Sequence, residues 1–274
     1  MSKIRFGCQT YTWQMSGEKY LRQLPHIMSI ASQAGFKGIE PETQFLGDLY
    51  EPGRMAEALN EHDLSLAAVC LVEDWLHREE TEQERANADR LISYLRDFPQ
   101  TVLCLCQMPG QDRENLKERQ SNLLSCVNEI SRRAHDQGII CSYHPNSPTG
   151  SIFRTEDDYE ILLNGLDVSV TGWTPDVGHI AKGGMDPLKQ IKDYRSLVNH
   201  VHFKDMYDSG QWAQLGQGCV DLVGITRFLE DSDYDGWIII EDECERAEHD
   251  PDATVLDDGV FVATRLLREE PDAG

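Results

Sequence analysis

Short apolar runs alternate along this chain with longer amphipathic ones, and the alternation repeats eight times. The short runs are IRFGCQTYTW (4–13), GFKGIEPE (35–42), LSLAAVCLVE (64–73), TVLCLCQ (101–107), GIICSYHP (138–145), VTGWTPDV (170–177), VNHVHFKD (198–205) and GWIIIEDE (236–243). Runs of this length, apolar nearly throughout, predict strands buried on both faces of a parallel sheet. Between them the pattern predicts helices over roughly 19–34, 52–62, 78–98, 112–137, 155–165, 186–197 and 221–231, with a last one over about 252–268. In the run 112–137, Leu116, Leu123, Leu124, Val127, Ile130 and Ala134 fall near one face and form a core-facing stripe.

Punctuation sets the register. Gly35, Gly138 and Gly236 stand just before strands, where a glycine is expected to close the preceding helix. Pro52, Thr155 with Asp158 three residues on, and Asp186-Pro187 make helix starts. Pro25 interrupts the first helical run and moves its expected start towards residue 25. Eight βα units in succession imply a parallel sheet, and eight is the number that closes into a barrel of typically about 250 residues. The 274 residues therefore predict an α/β fold, one (β/α)₈ TIM barrel occupying 1–274 as a single domain. No GxGxxG follows the first strand, so an open dinucleotide-binding sheet lacks its signal.

In a parallel barrel the active site lies at the C-terminal ends of the strands, which selects the candidate chemistry. His144 follows GIICSY, Asp176 ends VTGWTPD, His202 sits in NHVHFKD and Glu241 closes GWIII. Taken singly, a strand-end histidine is more often a packing group, and Asp176 has the makings of a helix cap. Taken together, four such residues on successive strands form a costly cluster unless a cation compensates them. The mixed oxygen–nitrogen set suits Mn²⁺ best, with Co²⁺, Zn²⁺ and Fe²⁺ also compatible and Mg²⁺ less so. No cysteine stands at these positions, which argues against a structural zinc site. Period-two spacing aims His200, His202 and Lys204 to one side, with His200 a step deeper, behind the candidate ligands. His179 and Asp205 lie nearby in PDVGH and HFKD. Gln9, Tyr11, Trp13 and Gln107 stand near other strand ends, as groups for touching a sugar or equally for packing. Glu40, ending the second strand, is expected to hydrogen-bond a ligand from behind.

Composition narrows the partners. Hydrophobic residues make up 40% and charged residues 27%, as in an ordinary globular protein. A formal net charge of −23 repels phosphate backbones and anionic membrane surfaces, so neither nucleic acid nor membrane is an expected partner. It suits a neutral small-molecule substrate, or one met by a bound cation. Of eight cysteines, Cys8, Cys70, Cys104, Cys106 and Cys141 lie within apolar runs and there is no CxxC, so free thiols in a reducing cytoplasm are expected. The start, MSKIRFGCQTYTW, has no long apolar h-region, and no stretch approaches the ~20 apolar residues of a membrane span. Oligomeric state stays open, a homo-oligomer included.

The segments YHPNSPTG (143–150), PDVGHIAKGGMDP (175–187), HVHFKDM (200–206), GQGCVD (216–221) and GWIIIEDE (236–243) resemble the xylose-isomerase-like TIM-barrel superfamily. Within it they look most like inosose dehydratase, with GFKGIEPETQF similar to the family's strand-two motif. The resemblance implies a Mn²⁺- or Co²⁺-type cation on Asp176, His202 and Glu241. Sugar isomerases and epimerases of the superfamily usually carry Glu at the strand-five position, where this chain has His144, as the dehydratase branch does. Asn146 departs from that branch, which tends to have another His there, and EDECERAEHDP runs on past strand eight. The implied activity is a metal-dependent lyase on a keto-cyclitol or ketosugar. Its metal set is His144, Asp176, His202 and Glu241. Glu241 or His144 takes the α-proton and Lys204 steadies the oxyanion or the leaving hydroxyl. His179, Trp13, Gln107 and Asp205 are expected to contact substrate. An isomerase or epimerase, and a non-catalytic sugar-binding or partner subunit, are the alternatives.

Overall fold

The structure, a computed structural model, describes residues 3–267. Its barrel strands are β1 (Arg5–Gln9), β2 (Gly38–Glu40), β3 (Ala68–Glu73), β4 (Val102–Gln107), β5 (Ile140–His144), β6 (Thr171–Trp173), β7 (Val201–Phe203) and β8 (Trp237–Ile240). All neighbouring pairs are parallel, and β8 pairs β1 from Arg5↔Trp237 to Cys8↔Ile240. Parallel bridges Glu42↔Cys70 and Trp173↔Val198 span the seams between β2 and β3 and between β6 and β7. The sheet therefore closes on itself as a (β/α)₈ TIM barrel, the predicted fold.

The helices are α1 (Leu24–Gln33), α2 (Pro52–Glu61), α3 (Glu82–Leu95), α4 (Leu116–His135), α5 (Glu156–Gly165), α6 (Pro187–Asp193), α7 (Leu222–Asp231) and α8 (Pro251–Phe261). Each falls within its predicted run or a residue outside it, and α1 starts beside Pro25 as the proline required. A π turn, Val262–Leu266, follows α8, and the predicted end at residue 268 lies outside the described residues. Thr155 and Asp158 make the expected reciprocal cap of α5, with the Thr155 N–H donating to Asp158 Oδ2 at 2.8 Å. Gly35 and Gly138 take the left-handed backbone that closes α1 and α4. Gly236 does not close α7: Asp233 holds the left-handed position there, at φ 54°. Gly236 is needed for another reason, since a Cβ on it would stand 2.6 Å from the Tyr234 ring.

Two apolar layers hold the strands. The outward faces, with Ile39, Leu103, Leu105, Tyr143 and Ile240, pack on Ile27, Leu91, Val127 and Leu162 of the helices. Inside the barrel lie Ala68, Cys70, Val102, Cys104 and Cys106 on one side and Ala67, Trp237 and Ile239 on the other. Cys104 and Cys106 thus share the interior face, as their spacing predicts, and all eight cysteines are free. No helix among the described residues is long and apolar enough to cross a membrane.

Three short elements escape the apolar pattern. Helical turns form at Tyr11–Gln14 and Val177–Lys182, where the predicted strands stop early, and Asp205–Met206 pairs with Trp212–Ala213 in an antiparallel hairpin. All three stand over the C-terminal mouth of the barrel, where chain direction changes within a few residues.

A candidate metal centre at the barrel mouth

Register explains why four polar side chains meet. Ile239 of β8 pairs with His202 of β7, so Glu241 and Lys204, each two residues on, rise to the next interior layer. Cys106 of β4 pairs with His144, the last residue of β5. Asp176 follows β6, is bridged to His202, and caps the turn Val177–Lys182 by accepting the His179 N–H at 2.8 Å. Donor atoms of His144, Asp176, His202 and Glu241 all lie within 4.8 Å of one another, and all four residues are buried. His144 Nε2 stands 3.3 Å from Asp176 Oδ2, and His202 Nδ1 stands 2.9 Å from Glu241 Oε2. Ligands that share one cation at about 2.1 Å stand about 3 Å apart, so these spacings suit a common ion.

The surroundings distinguish the two imidazoles. Behind His202, Glu40 approaches Nε2 at 3.0 and 3.1 Å, and His200 Nε2 meets the same carboxylate at 2.6 Å. A carboxylate on the far nitrogen is how metal-ligating histidines are oriented. Glu40 and His200 therefore occupy the supporting positions expected of them. His144 has no such support: its Nδ1 is buried without a hydrogen-bond partner among the described residues.

Lys204 is the most constrained charge in the site. Its side chain is 1% exposed, and Nζ lies 2.6 Å from Glu241 Oε1, 3.3 Å from Asp176 Oδ2 and 2.9 Å from His179 Nε2, with Glu243 Oε1 also in contact. An ammonium has no acceptor, so His179 Nε2 must accept and Nδ1 must carry the proton, which it donates to Ser147 Oγ at 2.6 Å. Gly178 makes this possible, because a Cβ there would stand 2.5 Å from Lys204 Cβ.

Charges follow from these contacts. Burial works to raise the Asp176 carboxyl, yet His179, the Lys204 ammonium and His144 together hold it well below the usual carboxylate range. Burial is likewise overcome at Glu241, which Lys204 and His202 bring down to about 2. For His202, burial favours the neutral ring, but Glu40 and Glu241 raise it to about 10. His179 goes the other way, to about 3, through burial and the Lys204 charge, against the pull of Asp176. Two carboxylates and two imidazoles make a mixed oxygen–nitrogen set that a divalent cation would fit, taking the place of the proton that His202 carries without it.

Above this floor lies a cavity of about 580 Å³, lined by His144, His202, Lys204, Glu241 and His179 together with Gln9, Tyr11, Gln107, Asn146 and Trp212. Gln107 lines the cavity, its Nε2 donating to the Asp74 carbonyl at 2.8 Å. Two expected substrate contacts need correction, since neither is among the described residues lining the cavity. Trp13 belongs to the helical turn after β1, which breaks the alternation of a strand; its ring is fully buried and its Nε1 donates to Asp252 in α8 at 2.7 Å. Asp205 turns away from the mouth and accepts the N–H groups of Met206, Gly216, Gly218 and Val220 at 2.8–3.1 Å. It ties down the GQGCVD loop. Asp205→Ala is expected to cost at least about 2 kcal/mol, since four backbone donors lose their acceptor. Denaturant midpoints check the loss, and an unchanged metal content separates it from damage to the centre.

Glu42 and Glu243, the last residues of their predicted runs and two places past Glu40 and Glu241, also line the cavity. Both stand just past a strand, where facing inward depends on how the chain bends at the mouth. Burial pushes the Glu42 carboxyl up to about 7. It raises Glu243 too, against the Lys204 ammonium that touches it.

A family model described as "Xylose isomerase-like TIM barrel" matches residues 28–261. Inosose dehydratase of Geobacillus kaustophilus is 24% identical over 287 residues, covering 92% of this chain and 89% of that protein. Among solved structures, the IOLI protein with a binding zinc atom superposes with a TM-score of 0.74 at 15% identity, over 97% of this chain and 100% of that one. The Escherichia coli 3-keto-D-glucoside 4-epimerase YcjR gives a TM-score of 0.71 at 16% identity, over 95% and 99%. These structural likenesses speak for the fold.

Proposed function

Because the chain belongs to the xylose isomerase-like TIM barrel family, we propose that it is a divalent-metal-dependent carbon–oxygen lyase that removes water from a keto-cyclitol or ketosugar. The observation that carries this is the convergence of His144, Asp176, His202 and Glu241 within 4.8 Å under the cavity, with an imidazole in the strand-five position. Similarity to inosose dehydratase over 92% of the chain supports the same reading.

His144, Asp176, His202 and Glu241 would hold a divalent cation, which would supply Lewis-acid polarisation of the substrate carbonyl and so acidify the adjoining C–H. The chain's own groups do the rest. Glu241 takes the α-proton. Lys204, pinned by its contacts with Glu241, Glu243 and His179, sets a fixed positive charge beside the oxygen that becomes negative. His179, held as the Nδ1–H tautomer by Ser147, orients that ammonium and meets substrate from the same wall. With His144 where a second carboxylate would stand, proton exchange on both faces of the substrate is disfavoured, and departure of the β-hydroxyl becomes the easier outcome.

Metal analysis of the purified protein and ¹H NMR with an inosose in D₂O test this. About one ion per chain is expected, Mn²⁺ foremost by its taste for mixed oxygen–nitrogen donors, with Zn²⁺ and Co²⁺ as the other outcomes. Water loss should give an ultraviolet-absorbing dicarbonyl product with deuterium exchange at one carbon. Interconversion of ketoses without water loss points instead to an epimerase, and a protein without bound metal to a non-catalytic sugar-binding role. His144→Glu separates the first two: dehydration is expected to fall by about 10²-fold or more. A rise in ketose interconversion in that variant favours the epimerase.

A further inference from the structure

Elimination of water needs a proton for the departing oxygen as well as an acceptor for the α-proton. His144 and His202 face the cation site as ligands, and the other groups assigned so far fail that role too. Asp176 and Glu241 are held ionised by their cationic neighbours, His179 is held neutral, and the Lys204 N–H groups are taken up by Glu241, Glu243 and His179. Among the other acids, Glu243 is taken up by its contact with the Lys204 ammonium, and Asp258, against Asp242, is not one of the described residues lining the cavity. Glu42 is different.

We propose that Glu42 is the general acid that protonates the leaving hydroxyl, an assignment that rests on the dehydratase reading above. The α C–H pair becomes the new C=C bond, the Cβ–O bond breaks, and the oxygen takes the Glu42 proton and departs as water. The enol left behind, which carries the α-hydroxyl, tautomerises to a vicinal dicarbonyl. No oxidant or reductant is required.

Three features of the fold place Glu42 for this task. Its backbone is fixed at the seam of the barrel by the bridge to Cys70 and by its N–H, which donates to Thr10 Oγ1 at 3.0 Å. Its side chain is 8% exposed and lines the same cavity as Glu241 and Lys204. Gln44 Nε2 donates to Oε2 at 2.8 Å and is itself braced on Gln14 Oε1 at 2.7 Å. That brace holds one carboxyl oxygen and leaves Oε1 for a ligand.

The charge state agrees with the geometry. Burial raises the Glu42 carboxyl to about 7; Gln44 and Lys204 pull it down, and Glu241 and Glu40 push it up. The other titratable groups facing it are Tyr11, Cys70 and Cys106, each raised by its own surroundings and so neutral. A general acid works best with a pKa near the operating pH. The protonated form is present below about 7, so dehydration should decline as pH rises through that value.

The test compares wild type and Glu42→Gln on an inosose in D₂O, and on the analogue with fluorine in place of the departing hydroxyl. Fluoride leaves without a proton. The variant is expected to lose water elimination by about 10²-fold or more, with KM little changed, while α-deuterium exchange and fluoride loss stay within about 3-fold of wild type. Its alkaline decline should vanish. Gln44→Leu, which keeps the acid but removes the donor that lowers it, should move that decline to higher pH. Retained water loss in Glu42→Gln overturns the assignment, as does joint loss of exchange and elimination, or an alkaline limb that ignores both substitutions. A wild-type protein that neither exchanges nor dehydrates any keto-cyclitol sinks the dehydratase reading first, and this assignment with it.

Discussion

Asp176→Ala is expected to abolish metal binding and to cut turnover of a keto-cyclitol by about 10²- to 10³-fold, and Asp176→Asn to do the same while remaining well folded. The side chain is fully buried and has two separable jobs. One oxygen accepts the His179 N–H at 2.8 Å and so starts the turn Val177–Lys182; the other faces His144 Nε2 and Lys204 Nζ, each at 3.3 Å. An amide keeps the first job and loses the second, because only the anion balances an ion and an ammonium. Removing one partner from a buried charge cluster costs about 3–5 kcal/mol, which sets the size of the expected loss. The alanine variant should lose about 1 kcal/mol more in stability, the usual worth of a helix cap. Plasma mass spectrometry for the bound metal and thermal melts with and without Mn²⁺ check both. Asp176→Asn that still carries a full complement of metal would show that Asp176 is not a ligand.

The parts of this site that could be read in the chain are those fixed by strand periodicity. His144, His202 and Glu241 sit on or one residue past regular strands, so the alternation that put their neighbours inside put them inside as well. Asp176 was legible for a different reason, as the residue where an apolar run gives way to a loop. Trp13 and Asp205 misled because both follow a strand that ends sooner than its apolar run: β1 stops at Gln9, and the chain after β7 folds into a hairpin. A bend of this kind turns a side chain away without changing any residue. Glu42 and Glu243 are the converse, acids that close their apolar runs past the regular strands and still line the cavity. For Glu42 the chain offered one hint, since Gln44 follows it at the spacing that lets an amide fold back on a carboxylate.

Lys204→Met is the variant expected to cost most in the metal-free protein. The thioether matches the stem of the lysine and little else. Asp176, Glu241 and Glu243 would keep their positions around a missing positive charge, and desolvated carboxylates left without a partner carry a penalty of about 3–5 kcal/mol. At roughly 2–4 °C per kcal/mol for a large domain, melting of the metal-free variant should fall by about 10 °C. Mn²⁺ should restore more stability to this variant than to wild type, because the added ion takes over part of the compensation that the ammonium supplied. Turnover should not return with it. The ion would be held by the ring of ligands, whereas Lys204 lines the cavity beside Glu241 and His179, where its fixed positive charge faces the developing oxyanion; losing such a group costs about 10²- to 10³-fold in rate. Lys204→Arg should not rescue turnover, since a planar guanidinium cannot place its charge where the compact ammonium meets Glu241, Asp176 and His179. A Lys204→Met protein that melts and turns over like wild type would mean that the three carboxylates are not charged together, and the electrostatic account of this site would have to be rebuilt around a shared proton.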